Sequence, residues 1–283
     1  MTPRRAFSVV LAVLLFPLAT TAQAELLRSG PWELGIGGQI GVPRGHVKVG
    51  ENTTPGNRLR LHGDLGIDLS ESVDLRIAYH VTAEDALRFS FSSLFLYGSK
   101  TLPRDTFFNG AILAGGTNLN TRPQLFRLTA LYARNLLPPQ SGGSFEGVAG
   151  VTFVYMDFKM NGMLAPTTRG RETKEDFYAQ ELPIPLLGFR TGYPLTDRLR
   201  LLGSLLGGYL PRVSSLRNEG GDVKLTQSHA DVALGLEYGL TPTIRIEGGY
   251  RYTYFVQHET SREDDNDFRL SDNALTGSVS WRF

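Results

Sequence analysis

Cysteine is absent from the 283 residues. That excludes disulfides and thiolate metal sites, and it removes mispairing as a hazard in an oxidising compartment. Histidine is sparse: His46, His62, His80 and His258 are scattered with no metal-ligand spacing, so neither a metal nor any other cofactor is expected. A dominant charge is missing too. Lys and Arg number 29 against 28 Asp and Glu, which gives no electrostatic case for a nucleic-acid partner. Beyond the amino terminus there is no apolar run long enough for a transmembrane helix.

The amino terminus reads as a secretory signal over residues 1–24. Arg4 and Arg5 form a basic region, Ala6 to Leu18 an apolar stretch too short to span a bilayer, and Ala22-Gln23-Ala24 a small-x-small cleavage site. Removing it leaves one domain over residues 25–283 with a net charge of about −1. An exported chain without a membrane helix is either soluble in the periplasm or a barrel.

Period-2 alternation decides between these. Val73, Leu75, Ile77, Tyr79 and Val81 alternate with Asp74, Arg76, Ala78 and His80. Segments from Leu87 to Tyr97 and from Ile244 to Tyr254 alternate in the same way, and helical spacing fits none of them. The predicted strands are Pro31–Gly45, Val73–Val81, Ala86–Phe107, Ala111–Leu136, Phe145–Lys159, Leu182–Tyr193, Arg198–Leu210, Leu225–Tyr238, Ile244–Val256 and Leu270–Phe283. Short turns alternate with long polar segments at Gly50–Ser72, Met160–Glu181, Pro211–Lys224 and Gln257–Arg269. Asn109-Gly110 is a hairpin signal and predicts a third–fourth hairpin projecting above the membrane. The fold expected is all-β, an antiparallel up-and-down transmembrane β-barrel of ten strands. Twelve is the alternative if Arg58–Ile67 supplies a further pair, and eight is the smaller one.

Aromatic positions sort by height on the outward parity. Trp32, Tyr79, Tyr132, Tyr193, Tyr238 and Trp281 fall at one end of the predicted strands, and Tyr97, Tyr155, Tyr209 and Tyr254 at the other. Amphipathic rings prefer the two membrane–water interfaces, which gives a barrel two girdles. The last strand, Leu275 to Phe283, puts Leu275, Val279, Trp281 and Phe283 on one face and ends on an aromatic. With these features the mature chain resembles small outer-membrane β-barrel proteins of Gram-negative bacteria, and Phe283 resembles their assembly signal. The resemblance implies residence in the outer membrane. It also implies contact with its lipid and lipopolysaccharide, and the barrel-assembly machinery as a partner during biogenesis.

The same parity sends Glu33, Asp74, Arg76, His80, Arg88, Arg127, Arg190, Arg198, Arg200, Glu237, Arg245, Glu247, Arg251 and Arg282 into the lumen. Arginines in a narrow tube could focus positive potential and attract anions. Alternatively they could form a plug of salt bridges, which the narrowness of a ten-stranded barrel favours. Val154, Met156, Leu202 and Leu206 on the inner face also suggest packing.

One pair carries an enzymatic hint. His229-Ala-Asp231 places an imidazole and a carboxylate on the same face, where the acid could orient a general base. Omptins, ten-stranded outer-membrane proteases, use a His/Asp pair with an Asp pair, and this sequence is similar in strand number and in that pairing. It departs in its His-x-Asp order and in lacking a facing acid pair. Ser90, Ser92 and Ser278 point inward and Ser93 outward with no histidine at its level, so no nucleophile–base pair assembles. The acidic run Glu263–Asp267 lacks the spacing and turn glycine of a calcium loop and reads as a solvated loop. The function expected is a plugged barrel with a non-enzymatic envelope or surface-interaction role. A narrow anion-favouring channel and a rim hydrolase are the alternatives. Deleting Phe283 is expected to lower the amount of protein reaching the outer membrane, read by membrane fractionation; unchanged yield would remove its assigned role.

Overall fold

A computed structural model of the chain describes residues 30–51, 56–138, 142–165, 174–175, 182–218, 222–262 and 264–283. The signal segment, residues 1–24, lies outside them. Ten long strands form the body: β1 Trp32–Glu51, β2 Ile67–His80, β3 Asp85–Thr101, β4 Gln124–Asn135 and β5 Ser144–Asn161. They continue with β6 Ile184–Pro194, β7 Leu199–Asn218, β8 Asp222–Gly239, β9 Ile244–Thr260 and β10 Asp264–Arg282. Each pairs antiparallel with its neighbours in sequence, and β10 returns to β1 from Glu33↔Arg282 to Glu51↔Asp264. Phe283 fastens the seam: its amide donates to the Trp32 carbonyl at 2.9 Å, and the Trp32 amide donates back at 3.1 Å. The ring has no free edge, so the expected up-and-down barrel of ten strands is what forms.

Parity then sorts the side chains. Leu187, Leu234 and Leu275 point outward and are 70%, 62% and 72% exposed. Exposure of large apolar groups around a whole ring suits a hydrocarbon environment and would be costly in water. Trp32, Tyr132, Tyr193 and Tyr238 lie exposed near the short turns, with the Tyr79 ring tilted against Trp32 at a centroid distance of 4.6 Å and Trp281 half-buried. Toward the loop end Tyr97 and Tyr209 are exposed, and Tyr155 and Tyr254 half-buried.

Three short turns share one device. An apolar residue is followed by threonine in Val81-Thr82, Leu195-Thr196 and Leu240-Thr241. Each threonine hydroxyl accepts the amide three residues on, from Asp85 at 2.9 Å, Leu199 at 3.0 Å and Ile244 at 2.9 Å. The apolar residue donates its amide to the carbonyl four residues on, at 2.8–3.0 Å. The hydroxyl satisfies a backbone donor that the turn leaves outside the ladder.

The loop end departs from expectation. The long hairpin between β3 and β4 does turn at Asn109-Gly110, both at positive φ, but only its returning Asn118–Thr121 segment continues the barrel wall, paired with Gly98–Thr101 and with Met160–Asn161. It breaks into a small hairpin, Thr106–Phe108 against Ala111–Leu113, followed by a strand at Asn118–Thr121. Phe108, Leu113 and Leu119 are fully buried. The Arg58–Ile67 segment adds no strand pair: only Leu59–Arg60 pairs with β1, and Leu59, Leu61 and Leu65 are buried beside the hairpin. Nor are Gln257–Arg269 and Pro211–Lys224 long loops, since β7, β8, β9 and β10 run on through most of both.

These extended strands, with β1, make one side of the barrel tall. Its inner face carries Val47, Val49, Leu225, Phe255, Phe268 and Leu270, and the hairpin and loop residues fill the mouth against them. A file of rings crosses the opening, with centroids of Phe108 and Phe158 at 5.9 Å, Phe158 and Phe268 at 6.4 Å, and Phe268 and Phe255 at 6.2 Å. The result is a continuous apolar cluster packed at the loop end.

Replacing Thr82, Thr196 or Thr241 by alanine should each cost about 0.5–1.5 kcal/mol, with serine restoring most of the loss. Urea unfolding in lipid vesicles measures this, and indifference at all three sites would refute the shared device.

Candidate functional site

Below this cluster the lumen is crossed by ion pairs. Near the short turns Glu237 of β8 meets Arg200 at 3.4 Å and Arg245 at 3.7 Å, Glu33 lies 3.6 Å from His80, and Arg88 reaches Glu146 at 2.9 Å. At mid-height Arg76 meets Glu247 at 3.2 Å, where Ser278 also donates, and Arg190 is set among Arg88, Glu146, Arg76 and Glu247. Higher still Arg251 faces Asp74 at 3.5 Å and Gln39 at 3.5 Å, and Asp272 accepts from Ser70 at 2.8 Å. Arg76, Arg88, Arg190, Glu237, Arg245, Glu247 and Arg251 take part in this set of contacts, whereas Arg282 donates to the Gly30 carbonyl at 3.2 Å. Glu146, Asp272 and Gln39 complete it, and the alternation around Phe145 and Leu275 puts Glu146 and Asp272 on the inner face.

His229 and Asp231 are brought together with a third partner. Arg127 of β4 crosses the lumen to β8 and donates Nη1 to Asp231 Oδ2 at 2.9 Å. The same oxygen lies 2.7 Å from His229 Nε2, and Thr253 donates to Oδ1 at 2.6 Å. The carboxylate is therefore engaged by three groups. With Nε2–H turned to Asp231, the imidazole leaves Nδ1 as its acceptor, buried beside a small cavity. That cavity measures about 50 Å³ and is lined by Gln39, Asp74, Arg127, His229, Thr253 and Asp272, among others. It suits a few water molecules and is far below the size of a substrate pocket. The His229 side chain is 3% exposed. Ser92, the hydroxyl at this level, is held by Arg127 Nε at 3.3 Å.

The scattered histidines also find partners. His46 Nε2 meets Asp267 Oδ1 at 2.5 Å, and His258 Nδ1 lies 3.7 Å from Oδ2 of the same residue. Lys48 pairs with Asp265. Asp264–Asp267 are therefore strand structure paired with β1 and β9, which corrects the reading of a solvated loop; Glu263 lies outside the described residues. Among the described residues no cluster of three or more His, Asp or Glu side chains could hold a metal ion.

Residues 8–283 match the family model described as "Outer membrane protein beta-barrel domain". Among solved structures, the outer membrane protease OmpT of Escherichia coli aligns with a TM-score of 0.52 at 12% identity, over 89% of this chain and 97% of that one. The translocator domain of the autotransporter NalP of Neisseria meningitidis gives 0.45 at 14% identity, over 93% and 92%. OprG of Pseudomonas aeruginosa gives 0.39 at 10%, over 90% and 97%. At these identities the likeness is one of fold. Comparison with curated protein sequences returns no match.

The cross-lumen strut makes a testable demand. Asp231→Leu, which strands a buried guanidinium, should cost about 3–5 kcal/mol. Arg127→Met combined with Asp231→Leu should recover most of that loss in the same unfolding assay. A double variant as unstable as the single one would show that the pair does not act as a unit.

Proposed function

The chain belongs to the outer membrane protein β-barrel domain family, and from that premise we propose that it is a stoppered, non-conducting barrel of the bacterial outer membrane. Its working part is the folded loop cap presented outward, in an envelope or surface-interaction role. The observation that carries this reading is the apolar mouth: Phe108, Phe158 and Phe268 are fully buried across the opening, with Leu61, Leu113 and Leu119 packed among them. Water and ions have no path through such packing at ordinary cost.

The lumen supports the same reading. An anion path needs arginines free to exchange partners with a passing ion. Here Arg76, Arg88, Arg127, Arg200, Arg245 and Arg251 each have a carboxylate within 4 Å. A rim hydrolase needs a reachable general base, and the pairing of His229 with Asp231 is better understood as part of the strut.

Reconstituted in planar lipid bilayers, the intact protein should give no stepwise conductance in molar salt. Stable anion-selective steps would overturn the proposal in favour of the channel. Peptide or lipid hydrolysis abolished by His229→Ala would overturn it in favour of an enzyme.

A further inference from the structure

The outward face of the tall wall carries a second, unassigned cluster. On β1 the outward positions run Leu34, Ile36, Ile40, Val42 and then Arg44. On β10 they run from Leu275 through Asn273 and Ser271 to Arg269. Arg44 pairs in register with Ser271, Ser271 pairs with Tyr254 on β9, and Arg269 pairs with His46. Arg44 and Arg269 are therefore diagonal neighbours roughly 7–8 Å apart along the sheet, flanking one serine hydroxyl and one tyrosine. Both guanidiniums are exposed.

Two further observations point to an anion. The neighbouring acids are already taken, Asp267 by His46 and His258 and Asp265 by Lys48. Among the described residues, Arg44 and Arg269 have no carboxylate partner; Arg44 donates to the Pro43 carbonyl at 3.2 Å. Second, the height is that of a lipid headgroup. Below this level the large apolar side chains of both strands face outward, as at Val42 and Leu275; above it they face inward, as at Val47, Phe268 and Leu270. The switch marks where hydrocarbon ends outside the wall, and the two arginines stand at it.

We propose that Arg44 and Arg269, with Ser271 and Tyr254, bind the phosphate of a phosphorylated glycolipid of the outer leaflet, the lipid A part of lipopolysaccharide. Guanidinium groups match phosphate oxygens in paired hydrogen bonds, and the hydroxyls supply donors to the sugar or to the remaining oxygens. Gly45 sits between the arginines and fixes their spacing. Its φ is +139°, and a Cβ there would lie 1.8 Å from the Arg269 carbonyl oxygen, so only glycine lets the two strands close at this level. The inference rests on placement in the outer membrane and is independent of whether the lumen conducts.

The test uses purified full-length protein in mild detergent, with diphosphoryl lipid A added back and bound lipid counted by native mass spectrometry. Arg44→Ala or Arg269→Ala should each weaken binding roughly fivefold and the double variant about thirtyfold. Arg104→Ala, an exposed arginine on the cap, should leave binding unchanged. Heat-modifiable migration on gels verifies that each variant is folded. Dephosphorylated lipid A should bind the intact protein no better than diphosphoryl lipid A binds the double variant. Undiminished binding by the double variant overturns the site, and so does equal binding of the dephosphorylated lipid. Phosphatidylglycerol binding as tightly as lipid A would overturn the commitment to a glycolipid.

Discussion

Backbone amides and carbonyls cannot be left unpaired in hydrocarbon, where each costs several kcal/mol. A sheet meets that demand only by closing on itself. Here closure falls to β1 and β10, which pair along the full length of β1's partner strand and end on the reciprocal bonds of Trp32 and Phe283. Once the ring is shut every strand has an inside and an outside, and the sequence must satisfy two solvents at a spacing of one residue. The apolar exterior, the charged interior and the aromatic positions are consequences of that single requirement.

Narrowness is the next consequence. Ten strands leave an interior only somewhat wider than side chains can fill, so charges sent inward meet one another. Arg127 reaches across to Asp231, and Arg76 to Glu247 on the far side of the seam. Such pairs hold register and shape, because a slip of one residue would carry a whole set of charges into lipid. The same crowding explains why His229 and Asp231, adjacent on the inner face, form a strut with Arg127.

Much of this was legible in the sequence because lipid imposes a strict rule. Strand number and the in-or-out sense of Arg76 or Tyr132 follow from alternation, while the closing role of the last strand follows from its resemblance to outer-membrane barrels. Legibility failed above the membrane. There the Asn109-Gly110 turn was readable, yet nothing local showed that Phe108 and Leu113 would fold back into the mouth, because their partners Phe158 and Leu164 are distant in sequence. The ends of β7 to β10 read as loops in the sequence for a related reason. Residues such as Arg212, Lys224 and Asp267 look like loop composition when no lipid face remains to be covered.

The lost signal was in fact a change of phase. On β8 the apolar side chains are Val232, Leu234 and Leu236 outward, then Leu225 and Val223 inward. On β9 they are Ile244, Ile246 and Tyr250 outward, then Phe255 inward; on β1, Val42 outward and then Val47 inward. The pairing of β1 and β9 with β10 continues through this level without a register shift. The strands have not slipped; the solvents have exchanged places. Below the switch the greasy side meets lipid and the polar side meets the lumen. Above it the greasy side meets the stopper and the charged side meets headgroups and water. An even-to-odd shift of hydrophobic parity on adjacent strands therefore marks a membrane surface, and it places the stopper and the Arg44–Arg269 cluster on opposite faces of the same wall.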